Sequence, residues 1–301
     1  MTSAAKGLPP IFILGAGRVG AALAALAHER GLTIAGLWTR SEHTRERAQR
    51  SSALGWRSGE LETIAPGALL LLAISDDHIE RFSTRLRDED AFSAGPPRAI
   101  FHCSGARPAK QALAPLVSLA PCGTFHPLVA VSESLSQALK AIPTATIALE
   151  GDPAAVELGE LLARQLGAKK TLGLRAEQMT IYHAAAVLAS NLPVALWHAA
   201  GSLFASIGLE DPTQALEPLV RSVVDNLATA GLPNALTGPI RRGDIQTVRR
   251  HLEALEQHCP ELLPMYRELS IAAIRTAAAC SDPPPTDLRK RLENLIVGDE
   301  R

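Results

Sequence analysis

Residues 11–20 read IFILGAGRVG: four apolar residues, Ile11 to Leu14, run straight into Gly15, Gly17 and Gly20. The stretch that follows, AALAALAHERG, is alanine- and leucine-rich and ends on Gly31. That order spells a buried strand, a tight turn and a helix with a glycine stop. In such a turn the first glycine permits the bend, the second lets a pyrophosphate approach the backbone, and the third lets the helix pack closely on the strand. The unpaired amides and the positive dipole end of the helix then face the phosphates. Gly15, Ala16, Gly17, Arg18, Val19 and Gly20 are therefore expected to cradle a dinucleotide; the competing reading is a glycine-rich turn in some other α/β protein.

The residues after the second strand decide which dinucleotide is preferred. LTIAGLWT (32–39) reads as that strand, and Thr39, Arg40 and Ser41 follow, with Arg45 one helical turn on. NAD sites usually place an acidic residue here to accept from the ribose hydroxyl. A carboxylate would repel a 2′-phosphate, whereas a guanidinium grips it bidentately and a hydroxyl donates to it. The sequence favours NADP, with NAD the lesser alternative because Glu42 is close by. Arg45 has a plain reading as well, as a solvated helix residue.

Outward from this unit the pattern repeats. ALLLLAI (68–74) is a continuous apolar run suited to a central parallel strand buried on both faces. It ends in Ser75, Asp76 and Asp77, placed by the doubly wound layout near the cofactor. Asp76 reads equally as the N-cap of the next helix. RAIFHCSGA (98–106) and PCGTFHPLV (121–129) are further strands, and ATIALEG (145–151), a helix from Asp152 and AKKTLGL (168–174) close the first domain near residue 175. The remainder reads as helices at 176–208, 211–230, 244–258, 260–280 and 286–297, broken by the loop LPNALTGPIRRG (232–243). The expected fold is an α/β Rossmann domain with a doubly wound, mainly parallel sheet (1–175), then an all-α domain (176–301) for substrate binding and dimerisation.

With 301 residues the chain can bury a core in each domain. Its net charge of -1 lacks the basic footprint of a nucleic-acid binder. No apolar run reaches membrane-spanning length and residues 1–9 are too short and polar for a signal peptide, so the expectation is a cytoplasmic protein with no membrane partner. Cys103, Cys122, Cys259 and Cys280 show no metal-site spacing, which predicts reduced thiols and no metal. The apolar excess of the last helices predicts a homodimer built through them.

A nicotinamide carries the hydride itself, so the protein must position a substrate and manage a proton. On the first helix of the second domain, YHAAAVLASNLP (182–193), His183, Val187 and Asn191 fall at i, i+4 and i+8 on one face, with Tyr182 and Ser190 beside them. A histidine and an asparagine on an alanine-rich helix are poor core residues unless hydrogen-bonded, which leaves a site role or satisfied interdomain packing. His126 lies at a strand-end turn facing the crevice, where an imidazole can give or take a proton near neutral pH; a backbone-bonded structural histidine is the alternative. His102 is expected to face the same crevice; alternation puts Cys103 on the opposite face, so only one of the two can point at the ligand. In TGPIRRGD (237–244), Thr237 and either Arg241 or Arg242 could anchor a substrate carboxylate. The plainer reading has Asp244 capping the next helix and the arginines solvated.

GAGRVG, LLAISDDHI, FHCSGA, GTFHPLVA, YHAAAVLASN and LTGPIRRGD carry a resemblance that spans most of the chain. It is similar to the superfamily containing 6-phosphogluconate, 3-hydroxyacyl-CoA and prephenate dehydrogenases, ketopantoate reductase and pyrroline-5-carboxylate reductase. Within that group it most resembles bacterial Rossmann-like NADP oxidoreductases with a helical C-terminal domain of unsettled function. The resemblance implies that His126, in FHPL, is the acid/base for the hydroxyl proton, that Ser104 bonds the reacting oxygen, and that Asn191 matches the asparagine of hydroxyacyl-CoA dehydrogenases. Ketopantoate reductase and the hydroxyacid dehydrogenases keep a lysine on that helix; residues 176–208 contain none, and His183 is the nearest substitute. These relatives imply hydride transfer from NADPH to the carbonyl, less readily the imine, of a small carboxylate-bearing metabolite such as a 2-keto acid. A deazaflavin-using variant and a non-catalytic NADP-binding regulator or scaffold are the alternatives.

Overall fold

The computed structural model describes residues 7–61 and 63–298. Seven strands alternate with helices in its first part: β1 (Ile11–Leu14), α1 (Arg18–Glu29), β2 (Ile34–Trp38), α2 (Glu42–Ser52), β3 (Leu69–Leu72), α3 (Asp76–Asp88), β4 (Ala99–His102), α4 (Ala109–Ala112), β5 (Cys122–Leu128), α5 (Leu135–Ala141), β6 (Thr146–Gly151), α6 (Pro153–Gln165) and β7 (Lys170–Gly173). They form one sheet in the order β2-β1-β3-β4-β5-β6-β7, with every neighbouring pair parallel except β5 and β6. The sequence reading of a doubly wound, mainly parallel sheet is borne out.

The central strands are apolar throughout because both of their faces are covered. In β3, Leu69 and Leu71 enter one core with Ile11, Ile13, Phe101 and Phe125, while Leu70 and Leu72 enter the other with Phe12, Leu14, Ile79 and Ile100. Period-two alternation thus feeds two separate layers of helices from a run with no polar residue. The order of β1 between β2 and β3 puts the switch point of the sheet at the carboxyl end of β1, where Gly15 begins the turn.

Helices follow: α7 (Met179–Ser206), α8 (Pro212–Ala230), α9 (Pro239–Arg242), α10 (Ile245–His258), α11 (Leu263–Ala278) and α12 (Thr286–Val297). The chain divides into two compact units, one ending at Asn191 and the other beginning at Leu192, so the division falls inside α7. The core of the second unit joins Ile245, Val248 and Leu252 of α10, Ile274 of α11 and Leu292, Leu295 and Ile296 of α12. By contrast α8 has no buried residue and α7 has one, Met179.

One expectation needs correcting. The helical stretch Ala176–Ser206 is long and apolar enough to cross a membrane by length and composition alone. No unbroken apolar run is needed for that, because its alanines and leucines outweigh the scattered His183, Asn191, His198 and Pro193.

Candidate active site

The three glycines of the turn are distinguished by what surrounds them. Gly15 has φ +105°, and a Cβ there would collide with the Ala73 carbonyl. A Cβ on Gly20 would strike the Gly15 carbonyl oxygen. Gly17 is different: its nearest neighbour would be the Ala73 oxygen at 4.0 Å. Glycine there is not required by packing within the protein, and a close-approaching ligand supplies the reason for it. Gly17 is also the N-cap of α1 and no side chain caps that helix, so its first-turn amides face outward.

Gly15, Ala16 and Gly17 line a crevice of about 360 Å3 together with Thr39, Arg40, Ser41 and Ser75. Among these, Thr39 is buried whereas Arg40 and Ser41 are exposed. Ser41 caps α2 by accepting from the Thr44 amide at 3.4 Å. Arg45 is not free: its guanidinium pairs with Glu42 and Gln49. The same contact, with a bond from Ser58, holds the Glu42 carboxyl far below its usual range, at about 2. Arg40 is an uncommitted cation here, as is Arg81, since no side chain among the described residues engages either. Four lining residues of α3 escaped the sequence reading: His78, Arg81, Phe82 and Arg85. The Arg85 guanidinium lies 5.9 Å from the Trp38 ring centre and 5.8 Å from that of Phe82, a cation–π arrangement.

Arg18 and Val19, the next residues of the turn, border a second crevice of about 630 Å3 lined by Cys103, His126, Tyr182, His183, Ser190 and Asn191. His126 Nδ1 and the Tyr182 hydroxyl are 2.8 Å apart. The His126 and His183 rings meet edge to face, 6.0 Å between centres. Burial, reinforced by His183 and opposed by Asp76, pulls the His126 pKa down to about 4, so its imidazole is neutral at pH 7. Burial raises Tyr182 to about 12. His183 Nδ1 is buried with no hydrogen-bond partner among the described residues. Asn191 lines the crevice but its amide oxygen accepts from Ser190 rather than meeting a histidine. The structure therefore brings His126, Tyr182 and His183 together and leaves Asn191 along the wall.

Gly105 explains how two imidazoles fit side by side. A Cβ at that position would lie 2.7 Å from His183 Nδ1 and 2.9 Å from both Cε1 and Nε2 of His126. The turn that carries it is fixed from below. Ser104 donates its amide to His102 Nδ1 at 3.1 Å and its hydroxyl to Asp76 at 2.7 Å. Because a backbone N–H can only donate, neutral His102 carries its proton on Nε2 and donates to Thr124 at 3.1 Å. Thr124 in turn donates to Glu150 at 3.3 Å, which also takes the Ala109 amide at 2.7 Å. His102 is wholly buried, with its pKa depressed to about 3 chiefly by desolvation. It serves the turn from inside, and Cys103 is the one of the pair that lines the crevice. Asp76 is not the N-cap of α3; Ser75 holds that position. Ser104 is likewise buried, with its hydroxyl donating a hydrogen bond to Asp76.

In the second unit, Asp244 caps α10 by accepting from the amide and hydroxyl of Thr247 at 3.1 and 2.7 Å, as its plainer reading had it. Thr237 is exposed, and Arg241 and Arg242 end the short helix α9, their guanidinium groups making no hydrogen bond or ion pair with any described residue.

Comparison with known proteins agrees with this layout. The Rossmann-like domain family matches residues 8–127, and the family described as "Domain of unknown function (DUF2520)" matches 145–273. No curated protein sequence matches the chain. Protein TM1727 from Thermotoga maritima superposes with a TM-score of 0.69 at 22% identity, covering 89% of this chain and 98% of that one. BF3122 from Bacteroides fragilis, provisionally described as an NADP oxidoreductase, gives 0.70 at 20% identity over 88% and 98%. The Plasmodium falciparum pyrroline carboxylate reductase, solved with NADP bound, gives 0.55 at 11% over 96% and 99%. The resemblance drawn from the motifs is thereby borne out: the chain is a Rossmann-like domain joined to a DUF2520 domain.

Proposed function

We propose that this protein is an NADP-dependent oxidoreductase acting on the carbonyl, or less readily the imine, of a small carboxylate-bearing metabolite such as a 2-keto acid. The observation that carries the reading is the meeting of His126, Tyr182 and His183 in a crevice bordered by Arg18 and Val19 of the glycine turn. The residues present fit the cofactor: Gly17 has open space, α1 begins uncapped, and Arg40 with Ser41 stands where a 2′-phosphate would be met. The Glu42 carboxylate is tied to Arg45 and Ser58, which weakens the case for NAD. NADP in the Plasmodium reductase points the same way.

When bound, NADPH supplies the hydride. The chain's own part is to hold the substrate and manage the proton of the reacting oxygen. His126 faces that oxygen with Nε2, His183 packs beside it, and the Asn191 amide is free to donate from the crevice wall. In the second unit, the unengaged guanidiniums of Arg241 and Arg242 are the groups suited to a carboxylate. Ser104 orients Asp76 and the turn through its hydroxyl. A non-catalytic regulator would have no use for a fenced pair of imidazoles, so the convergence favours an enzyme.

Titration with NADPH and NADH, followed by nicotinamide fluorescence and then by oxidation against a panel of 2-keto acids and imines, tests the reading. Preference for NADPH with turnover on any panel member supports it. Binding without turnover favours the regulator, and binding of neither nucleotide overturns it.

The homodimer belongs to the same reading. Val194 and Trp197 of α7 face Leu216, Val220 and Val224 of α8 across a groove of about 780 Å3, and Leu219 and Val223 are more than half exposed. Apolar helices left this bare in one chain are expected to be covered by a second copy. A monomeric mass by light scattering at micromolar concentration would refute this, and partition into lipid vesicles would assign the face to a membrane instead.

A further inference from the structure

We propose that Tyr182 is a positioning residue that holds His126 as the Nε2–H tautomer, aiming its one proton into the crevice. The inference rests on the oxidoreductase reading only for what that proton is used for; the tautomer itself follows from local geometry.

A neutral imidazole has one N–H and one lone pair, and which nitrogen holds the proton is set by the partner of the other. His126 Nδ1 has such a partner in the Tyr182 hydroxyl, at 2.8 Å. Either group could formally donate. A phenol is the stronger acid of the two donors, and an imidazole nitrogen is the stronger base of the two acceptors, so the bond runs from the tyrosine O–H to Nδ1. Burial keeps both partners uncharged, Tyr182 protonated and His126 neutral, which is the state in which this bond forms. The proton of His126 is then confined to Nε2, which has no acceptor among the described residues.

The surroundings block the alternative ring orientation. Tyr182 stands perpendicular to the imidazole at 5.6 Å and His183 is nearly so at 6.0 Å. Gly105 presents bare backbone where any side chain would press on Nε2. Turning the ring over would put a carbon against the tyrosine hydroxyl and forfeit the bond. Tyr182 lies on α7 and His126 on β5, 56 positions apart, so the bond also ties the helix to the strand.

The test is a two-bond proton–nitrogen correlation spectrum of protein labelled with 15N-histidine at pH 7, with the His126 signals identified by their loss in His126→Gln. The expected wild-type pattern is an unprotonated Nδ1 and a protonated Nε2. In Tyr182→Phe the Nδ1–H population should rise about fivefold, the factor that corresponds to loss of a ~1 kcal/mol hydrogen bond. An Nδ1–H tautomer in the wild type overturns the proposal without any variant, and an unchanged tautomer ratio in Tyr182→Phe overturns it as well. NADPH fluorescence titration of the same wild-type sample separates the two levels: failure to bind sinks the oxidoreductase reading while leaving the tautomer assignment standing.

Discussion

Replacing Gly105 by alanine should disable the crevice by displacing His126 and His183 without replacing either side chain. The new Cβ would sit 2.7 Å from His183 Nδ1 and 2.9 Å from Cε1 and Nε2 of His126. Ordinary contacts of this kind begin near 3.4 Å, so the His183 ring must retreat by ~0.7 Å and the His126 ring by ~0.5 Å from the turn that carries Gly105. A retreat of that size in His126 stretches its 2.8 Å bond to Tyr182 to the limit of hydrogen-bond geometry. Overpacking costs ~1–3 kcal/mol and the lost bond ~1 kcal/mol, which together predict a destabilisation of about 2–4 kcal/mol and a fall in Tm of roughly 5–15 °C. Thermal denaturation measures the first quantity, and the imidazole spectrum of the same variant shows whether both rings have moved. A Tm within 2 °C of wild type (about the effect of 0.5–1 kcal/mol) together with unmoved His126 and His183 signals would show that the two rings do not bear on Gly105.

Two more outcomes can be checked independently. Arg40→Ala should weaken NADPH binding about 10- to 100-fold while leaving NADH nearly unchanged, as loss of a charge-assisted bond to a phosphate does. Arg45→Ala should cost less, because that guanidinium is already engaged by Glu42 and Gln49; equal losses in the two titrations would contradict this ranking. His102 should make the fold acid-sensitive. Its folded pKa of about 3 lies below the unfolded value of 6.5, so the unfolded chain binds the extra proton first and stability falls as pH drops from 6.5 toward 3. The loss between pH 7 and pH 4 should be about 3 kcal/mol from this group, and urea unfolding at both pH values should show a smaller difference in His102→Gln.

Much of this architecture could be read from the chain because its signals are local. A run such as Leu69–Leu72 can satisfy both faces only in a central strand, and the helix starts at Pro153 and Pro212 and the stop after Glu29 are written in prolines and glycines. His183 is singled out by residue type and helical spacing, and His126 by its place at a strand end and by the FHPL resemblance. What escaped depends on packing. Arg81, Phe82 and Arg85 look like an ordinary amphipathic helix until α3 is seen lying along the crevice. Tyr182 stood beside the expected stripe, but nothing in its neighbourhood names His126, 56 residues earlier, as its partner. The hydrogen bond from the Ser104 hydroxyl to Asp76 is a link across 28 positions that local sequence does not show. The antiparallel sense of β6 was equally hidden, since a strand's direction leaves no mark on its composition.

That reversed strand limits how the protein can have been assembled. The Rossmann-like match stops at residue 127 and the DUF2520 match starts at 145, yet β6 and β7, which lie in the latter, complete the sheet of the former. Glu150 of β6 is the end of the hydrogen-bond chain that reaches back through Thr124 and His102 to the Ser104 amide. A chain cut between the two matches would bare the edge of β5 and leave Thr124 without its acceptor. The two segments are consequently not interchangeable cassettes: a DUF2520 segment grafted onto another nucleotide-binding fold would have to bring its own sheet edge and find a threonine waiting there.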